Sequence, residues 1–158
     1  MDSGRNTHWR ANGITQRSRC AGALTHWLSY IQTDNVKHTV SQAEELGGSI
    51  PKSAMDIPTV GRFAVLADPQ GAAFSVFTPD EPMPPKGEYL SPGEFPWHEL
   101  ATTDWEAGFG FYSSLFGWVK VDAMNMGEAG IYQMYGQADS APLGGVYSKS
   151  AEMPGPPA

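Results

Sequence analysis

The sequence predicts an α+β protein made of two tandem βαβββ modules, and three observations carry that prediction. Sliding the chain by 70 residues aligns HWLSYIQTDNVKHTVSQAEELGGSI with PWHELATTDWEAGFGFYSSLFGWVK, with Trp27 on Trp97, Thr33 on Thr103, Asp34 on Asp104 and Gly47 on Gly117. The offset persists to Val76 on Val146 and Phe77 on Tyr147, so the likeness spans a whole unit. Each copy opens on a short alternating strand and passes into an apolar stripe at helical spacing. Finally, RFAVLA and AAFSVF flank Asp68-Pro69-Gln70-Gly71, a sequence that suits a type I turn between hairpin strands.

Taken in order, the first strand places Trp27, Ser29 and Ile31 on one face and Leu28, Tyr30 and Gln32 on the other. Thr33-Asp34 and Thr103-Asp104 are N-cap candidates for the helices that follow. Val36, Val40, Ala43 and Gly47 line one helix, and Trp105, Phe109, Tyr112 and Phe116 the other. Helix ends are expected at Gly47-Gly48 and Gly117, where a left-handed residue lets the chain leave the helix. Gly108 and Gly110 each cost the second helix about 1 kcal/mol relative to Ala, so either they pack closely or that helix is weak. Further strands are expected near Ser49–Ser53, Val119–Asp122, Gly130–Tyr135 and Leu143–Tyr147. The resulting division is a basic extension 1–23, a module 24–78, a Pro-rich linker 79–95, a module 96–149 and a Pro-rich tail 150–158.

Composition narrows the classes of function. A net charge of -7 argues against nucleic acid as a partner, even though Arg5, Arg10, Arg17 and Arg19 make the leader basic. No apolar run approaches the roughly 18 to 20 residues of a membrane span, and the first 25 residues lack the apolar centre of a secretory signal, so the expected location is cytoplasmic. The lone Cys20 excludes an intrachain disulfide and a Cys-based zinc cluster. Neither a Ser-His-Asp set, a phosphate loop nor a dinucleotide fingerprint occurs. His38 reads as a solvated helical residue, His8-Trp9 as an accidental echo of His26-Trp27, and the loop AMNMGEAG, bracketed by Asp122 and Glu128, as a mobile segment able to cover a cleft.

A tandem βαβββ unit, a TD dipeptide before an amphipathic helix closing on LGG or LFGW, and a DPQG hairpin together resemble the glyoxalase, bleomycin-resistance and extradiol-dioxygenase superfamily, also called the vicinal oxygen chelate fold. The resemblance covers residues 24 to 149. It implies curved sheets that form a cleft, with metal ligands in metal-dependent members drawn from the first and last strand of each module. Carried onto this sequence, those positions are Trp27, Trp97, Ser75 and, by the repeat offset, Gly145, none of which is the His, Gln or Glu expected there. The likeness is strongest to members with four modules, and on it this chain looks like a second and third module. The modules must then pair with each other or with those of another copy, and a homodimer, with modules exchanged across the linker as a variant, is expected.

The ligand-binding candidates are therefore Trp27, Trp97, Ser75 and Glu99: the tryptophans as cleft walls for a flat or apolar ligand, Glu99 as a general base or an anchor for a ligand hydroxyl or amine. Ordinary core packing for the tryptophans, and a solvated Glu99 at a sheet edge, are the competing readings. The leading expectation is a small-molecule-binding protein with an aromatic cleft and no cofactor. Whether it is an enzyme stays open. The alternatives are a glyoxalase-like or dioxygenase-like enzyme holding a divalent metal through His98 and Glu99, and a fold-only fragment without activity.

Overall fold

The computed structural model describes residues 27–82 and 97–150, together with 152, 153, 155 and 157 of the tail. The basic extension with His8 and Cys20, residues 24–26 with His26, and most of the Pro-rich linker lie outside the described residues. The first module runs β1 (Tyr30–Gln32), α1 (Val36–Glu45), β2 (Ser49–Ile57), β3 (Gly61–Ala67) and β4 (Ala73–Pro79). The second runs β5 (His98–Thr102), α2 (Trp105–Phe116), β6 (Val119–Asn125), a short 3-10 turn at Gly127–Ala129, β7 (Ile131–Gly136) and β8 (Gly144–Ser148).

Each module forms a four-stranded sheet, ordered β1-β4-β3-β2 and β5-β8-β7-β6. The first strand pairs parallel to the last, which requires the helical crossover, and the other pairs are antiparallel. Asp68-Pro69-Gln70-Gly71 closes the β3–β4 turn through Gly71 N–H to Asp68 O at 3.0 Å, with Gly71 at φ +96°. The Asp68 carboxylate accepts from the N–H groups of Gln70 and Ala72, both at 2.9 Å, which is why Asp suits the first turn position. Gly117, at φ +70°, ends α2 as its place in the repeat predicts.

Two glycines expected to weaken α2 have different explanations. A Cβ on Gly108 would meet Thr102 Cγ2 at 3.3 Å and Gln70 Nε2 at 3.2 Å, so close packing on β5 selects glycine there. Gly110 faces open space, and packing does not account for it.

The core of the first module takes in residues of α2, while the second sheet packs on α2 in a smaller cluster of its own. Val36 and Ala43 of α1, Ala64, Leu66, Phe74 and Val76 of the first sheet, and Phe111, Tyr112 and Leu115 of α2 form a continuous buried cluster. Phe74 sits among the rings of Phe111, Tyr112 and Phe116 at 5.3–6.2 Å, so an aromatic helix from one module is seated on the sheet of the other. Gln70 adds a polar lock. Its Oε1 accepts from the backbone N–H groups of Thr103 (3.0 Å) and Asp104 (2.8 Å) and from the Thr103 hydroxyl, while its Nε2 donates to Asp104 O at 2.8 Å.

The copies differ at one point that changes the site. The repeat would set Tyr30 beside Val76, as Leu100 stands beside Val146. Instead Ile31 is the partner of Val76. Three residues separate β1 from α1 but two separate β5 from α2, and the extra residue moves the first N-cap from the expected Asp34 to Asn35, whose side chain accepts from His38 N. In the second copy Asp104 caps as predicted, accepting from Glu106 and Ala107 N–H. A one-residue slip inverts every side chain of a strand. Tyr30 and Gln32 therefore take the helix-free face with Ser75, whereas in β5 that face belongs to Glu99 and Ala101.

Candidate functional site

Strand alternation sorts the second sheet into two faces. Leu100, Val146 and Tyr135 turn toward α2 and pack with Phe109. Glu99, Gly145 and Met134 pair across β5, β8 and β7 on the other face, as do Ala101, Tyr147 and Tyr132. On that helix-free face three side chains are joined end to end. The indole N–H of Trp97 donates to the Tyr132 hydroxyl at 2.7 Å, and that hydroxyl donates to Glu99 Oε1 at 2.7 Å. The Tyr132 ring stacks on Tyr147 with centroids 5.8 Å apart and planes at 22°. Partial burial, and next the hydrogen bond to Glu99, raise the Tyr132 pKa, so the phenol keeps its proton at neutral pH.

The Tyr132 ring lies where a side chain of residue 145 would be. A Cβ on Gly145 would come within 2.1 Å of Tyr132 Cζ and 2.3 Å of its hydroxyl oxygen. Tyr132 was not singled out from sequence, although the alternation of IYQMY and the hairpin to Tyr147 set it on the face of Glu99.

A cavity of about 420 Å³ opens where the modules meet, walled by β1, β5, α2 and the starts of β4 and β8. Tyr112, Trp118 and Tyr135 stack in series along it, with centroids 5.7 and 4.6 Å apart and planes 12° and 16° from parallel. His98 and Glu99 of the β5 edge border it, with Gln32 and Gln137 as further polar residues. Inside, the phenols are not available for acid-base work. Burial and the Asp68 carboxylate, which accepts from the Tyr112 hydroxyl at 3.3 Å, drive the Tyr112 pKa far upward. Burial alone brings most of the rise of Tyr135 to about 12.

The four sequence-derived ligand candidates do not converge. Trp97 and Glu99 are joined through Tyr132. Trp27 precedes β1 and is 90% exposed. Ser75 is fully buried, its hydroxyl donating to Ala64 O at 2.8 Å. A divalent ion does not fit the positions the resemblance marks, because Ser75 is sealed in, Gly145 has no donor and its space is filled by Tyr132, and tryptophan offers no lone pair. The pair His98 and Glu99 fares no better, since adjacent strand residues point to opposite faces. Among the described residues no group of three or more His, Cys, Asp and Glu side chains could hold a metal ion.

Comparisons with known proteins agree on the fold. No protein-family model matches the chain. It is 48% identical over 58 residues to "Putative glyoxylase CFP32" of Mycobacterium tuberculosis, a match covering 37% of this chain and 22% of that protein. To the anthracycline biosynthesis protein DauV of Streptomyces sp. (strain C5) it is 33% identical over 103 residues, 64% of this chain and 36% of the relative. The matches thus span only 22% and 36% of those relatives' own lengths. The Mn(II)-bound glyoxalase from Novosphingobium aromaticivorans superposes with a TM-score of 0.57 at 16% identity, over 81% of this chain and 42% of that one. A glyoxylase/bleomycin resistance protein/dioxygenase domain from Frankia sp. EAN1pec gives 0.51 at 13% identity, over 83% and 96%.

Proposed function

We propose that this chain, which belongs to the glyoxalase, bleomycin-resistance and extradiol-dioxygenase superfamily, is a small-molecule-binding protein that holds its ligand against aromatic walls and without the usual metal. The observation that carries this reading is the hydrogen-bonded row Trp97, Tyr132 and Glu99 beside a junction cavity of about 420 Å³. That volume lies within the roughly 300 to 1,000 Å³ of small-molecule sites, which join apolar walls to a few convergent polar groups. On this reading Trp97 and Glu99 are the residues that hold the ligand, supported by their link through Tyr132. Trp27 and Ser75 enter only if the ligand extends onto the first module.

The name of DauV supports the same direction, since an anthracycline is a large, flat, polycyclic molecule of the kind such walls accept. No described helix is long and apolar enough to cross a membrane. A homodimer belongs to this reading, because β6 leaves Val119, Val121 and Met124 exposed along an edge strand and a second copy would cover them.

The test is metal analysis of protein purified without chelator, together with ligand binding after chelator treatment. Retained binding without a stoichiometric divalent ion is expected. A stoichiometric ion whose removal abolishes binding would overturn the reading in favour of a metal enzyme.

A further inference from the structure

The row on the second sheet has a definite hydrogen-bonding sense. Trp97 can only donate, and its N–H is spent on Tyr132; the Tyr132 proton is spent on Glu99. What remains for a ligand is a lone pair on the phenol oxygen and the unused acceptor sites of the Glu99 carboxylate. Every free polar site of the row is an acceptor. The aromatic faces around it act in the same sense, because the π-faces of Trp97, Tyr132 and Tyr147 attract positive charge. Asp122 shares this face with Met134 and adds a second carboxylate, whereas Lys120 lies over the rings of Trp105 and Phe109 on the helix side. Glu99 is also among the residues that border the junction cavity, so the row adjoins it.

We infer that this face selects flat ligands carrying an ammonium or another hydrogen-bond donor, and that Gly145 is the specificity-determining residue because its missing side chain leaves room for Tyr132. The inference rests on the small-molecule reading above and names its ligand class. Along the row itself an anionic ligand would meet only acceptors and a carboxylate, and repulsion replaces the hydrogen bonds there. Any side chain at 145 would evict the Tyr132 phenol and leave Trp97 and Glu99 unlinked.

Three probes share one ring and differ in the polar group: 1-naphthylmethylammonium, 1-naphthylmethanol and 1-naphthoate. Titrated into metal-free protein at pH 7 by calorimetry, the ammonium is expected to bind tightest and the carboxylate weakest, with about tenfold between them, a span consistent with an exposed ion pair plus a cation–π contact. Glu99→Gln, a surface change of nearly equal shape, should cut that advantage below about twofold while the circular dichroism spectrum stays unchanged. Gly145→Ala should do the same, and Tyr132→Phe controls for any packing damage it causes. Equal binding of all three probes, a preference for the carboxylate, or an ammonium preference that survives Glu99→Gln would overturn the inference alone. Failure of all three to bind would overturn both the inference and the small-molecule reading beneath it.

Discussion

The two modules share a frame and meet through α2, yet they treat their helix-free faces in opposite ways. In the first, the position marked for a polar ligand is Ser75, sealed under the sheet and bonded to Ala64 O. In the second, the matching position is Gly145, and the vacated space holds a tyrosine tied to a tryptophan and a glutamate. One extra residue before α1 and one missing side chain on β8 account for the contrast. A duplicated module can thus keep its topology while its two faces diverge through changes that hardly disturb the aligned sequence.

The largest effect should come from the core that joins the copies. Phe74→Ala removes a ring seated among Phe111, Tyr112 and Phe116, and a loss of roughly 3 to 5 kcal/mol is expected. In urea denaturation followed by both tryptophan fluorescence and far-ultraviolet dichroism, the two probes should shift together. Separate transitions would mean that the modules fold independently and that their comparison is one between two domains.

Alkaline pH attacks the same junction through its buried phenols. Tyr112 and Tyr135 have folded pKa values above the ordinary 10.0, Tyr135 at about 12. In the unfolded chain they release their protons near pH 10, so above that pH the unfolded state binds fewer protons and stability falls as pH rises toward 12. Their contribution is intact below pH 10. Stability measured from pH 9 to pH 12 should decline across that window, and Tyr135→Phe should flatten the decline.

A smaller loss, about 1 to 2 kcal/mol, is expected for Gln70→Ala, which removes the acceptor for the Thr103 and Asp104 N–H groups. Gln70→Glu, which keeps an acceptor at Oε1, should recover part of it. The smallest effect belongs to Trp27. Trp27→Ala should leave ligand affinity within about twofold, whereas Trp97→Ala, which removes the donor to Tyr132, should weaken it by about tenfold.

Much of this architecture was legible in the chain. Strand alternation, the two capped helices, the Asp68-Pro69-Gln70-Gly71 turn and the left-handed Gly117 follow from local chemistry, and local chemistry is what sequence records directly. The N-cap of α1 was misplaced because Asp34 aligns with Asp104, and the alignment conceals a loop one residue longer. The same extra residue puts Ile31, rather than the aligned Tyr30, in the place that Leu100 holds in the second module. Tyr132 escaped notice because its meaning lies across the sheet, in the absent side chain of Gly145. The Gln70 cap was invisible for a similar reason, since it joins residues of different modules. Glu99 was singled out because it lies two residues from Trp97, and the structure joins the two through Tyr132.

The most direct test locates the ligand on one module or the other. Nitrogen-proton correlation spectra of the labelled, metal-free protein, recorded with rising 1-naphthylmethylammonium, should move the Trp97 indole signal and the amides of residues 98–100 and 145–147. Perturbations confined to residues 27–32 and 73–77, with the Trp97 indole unmoved, would contradict the assignment of the site to the second module.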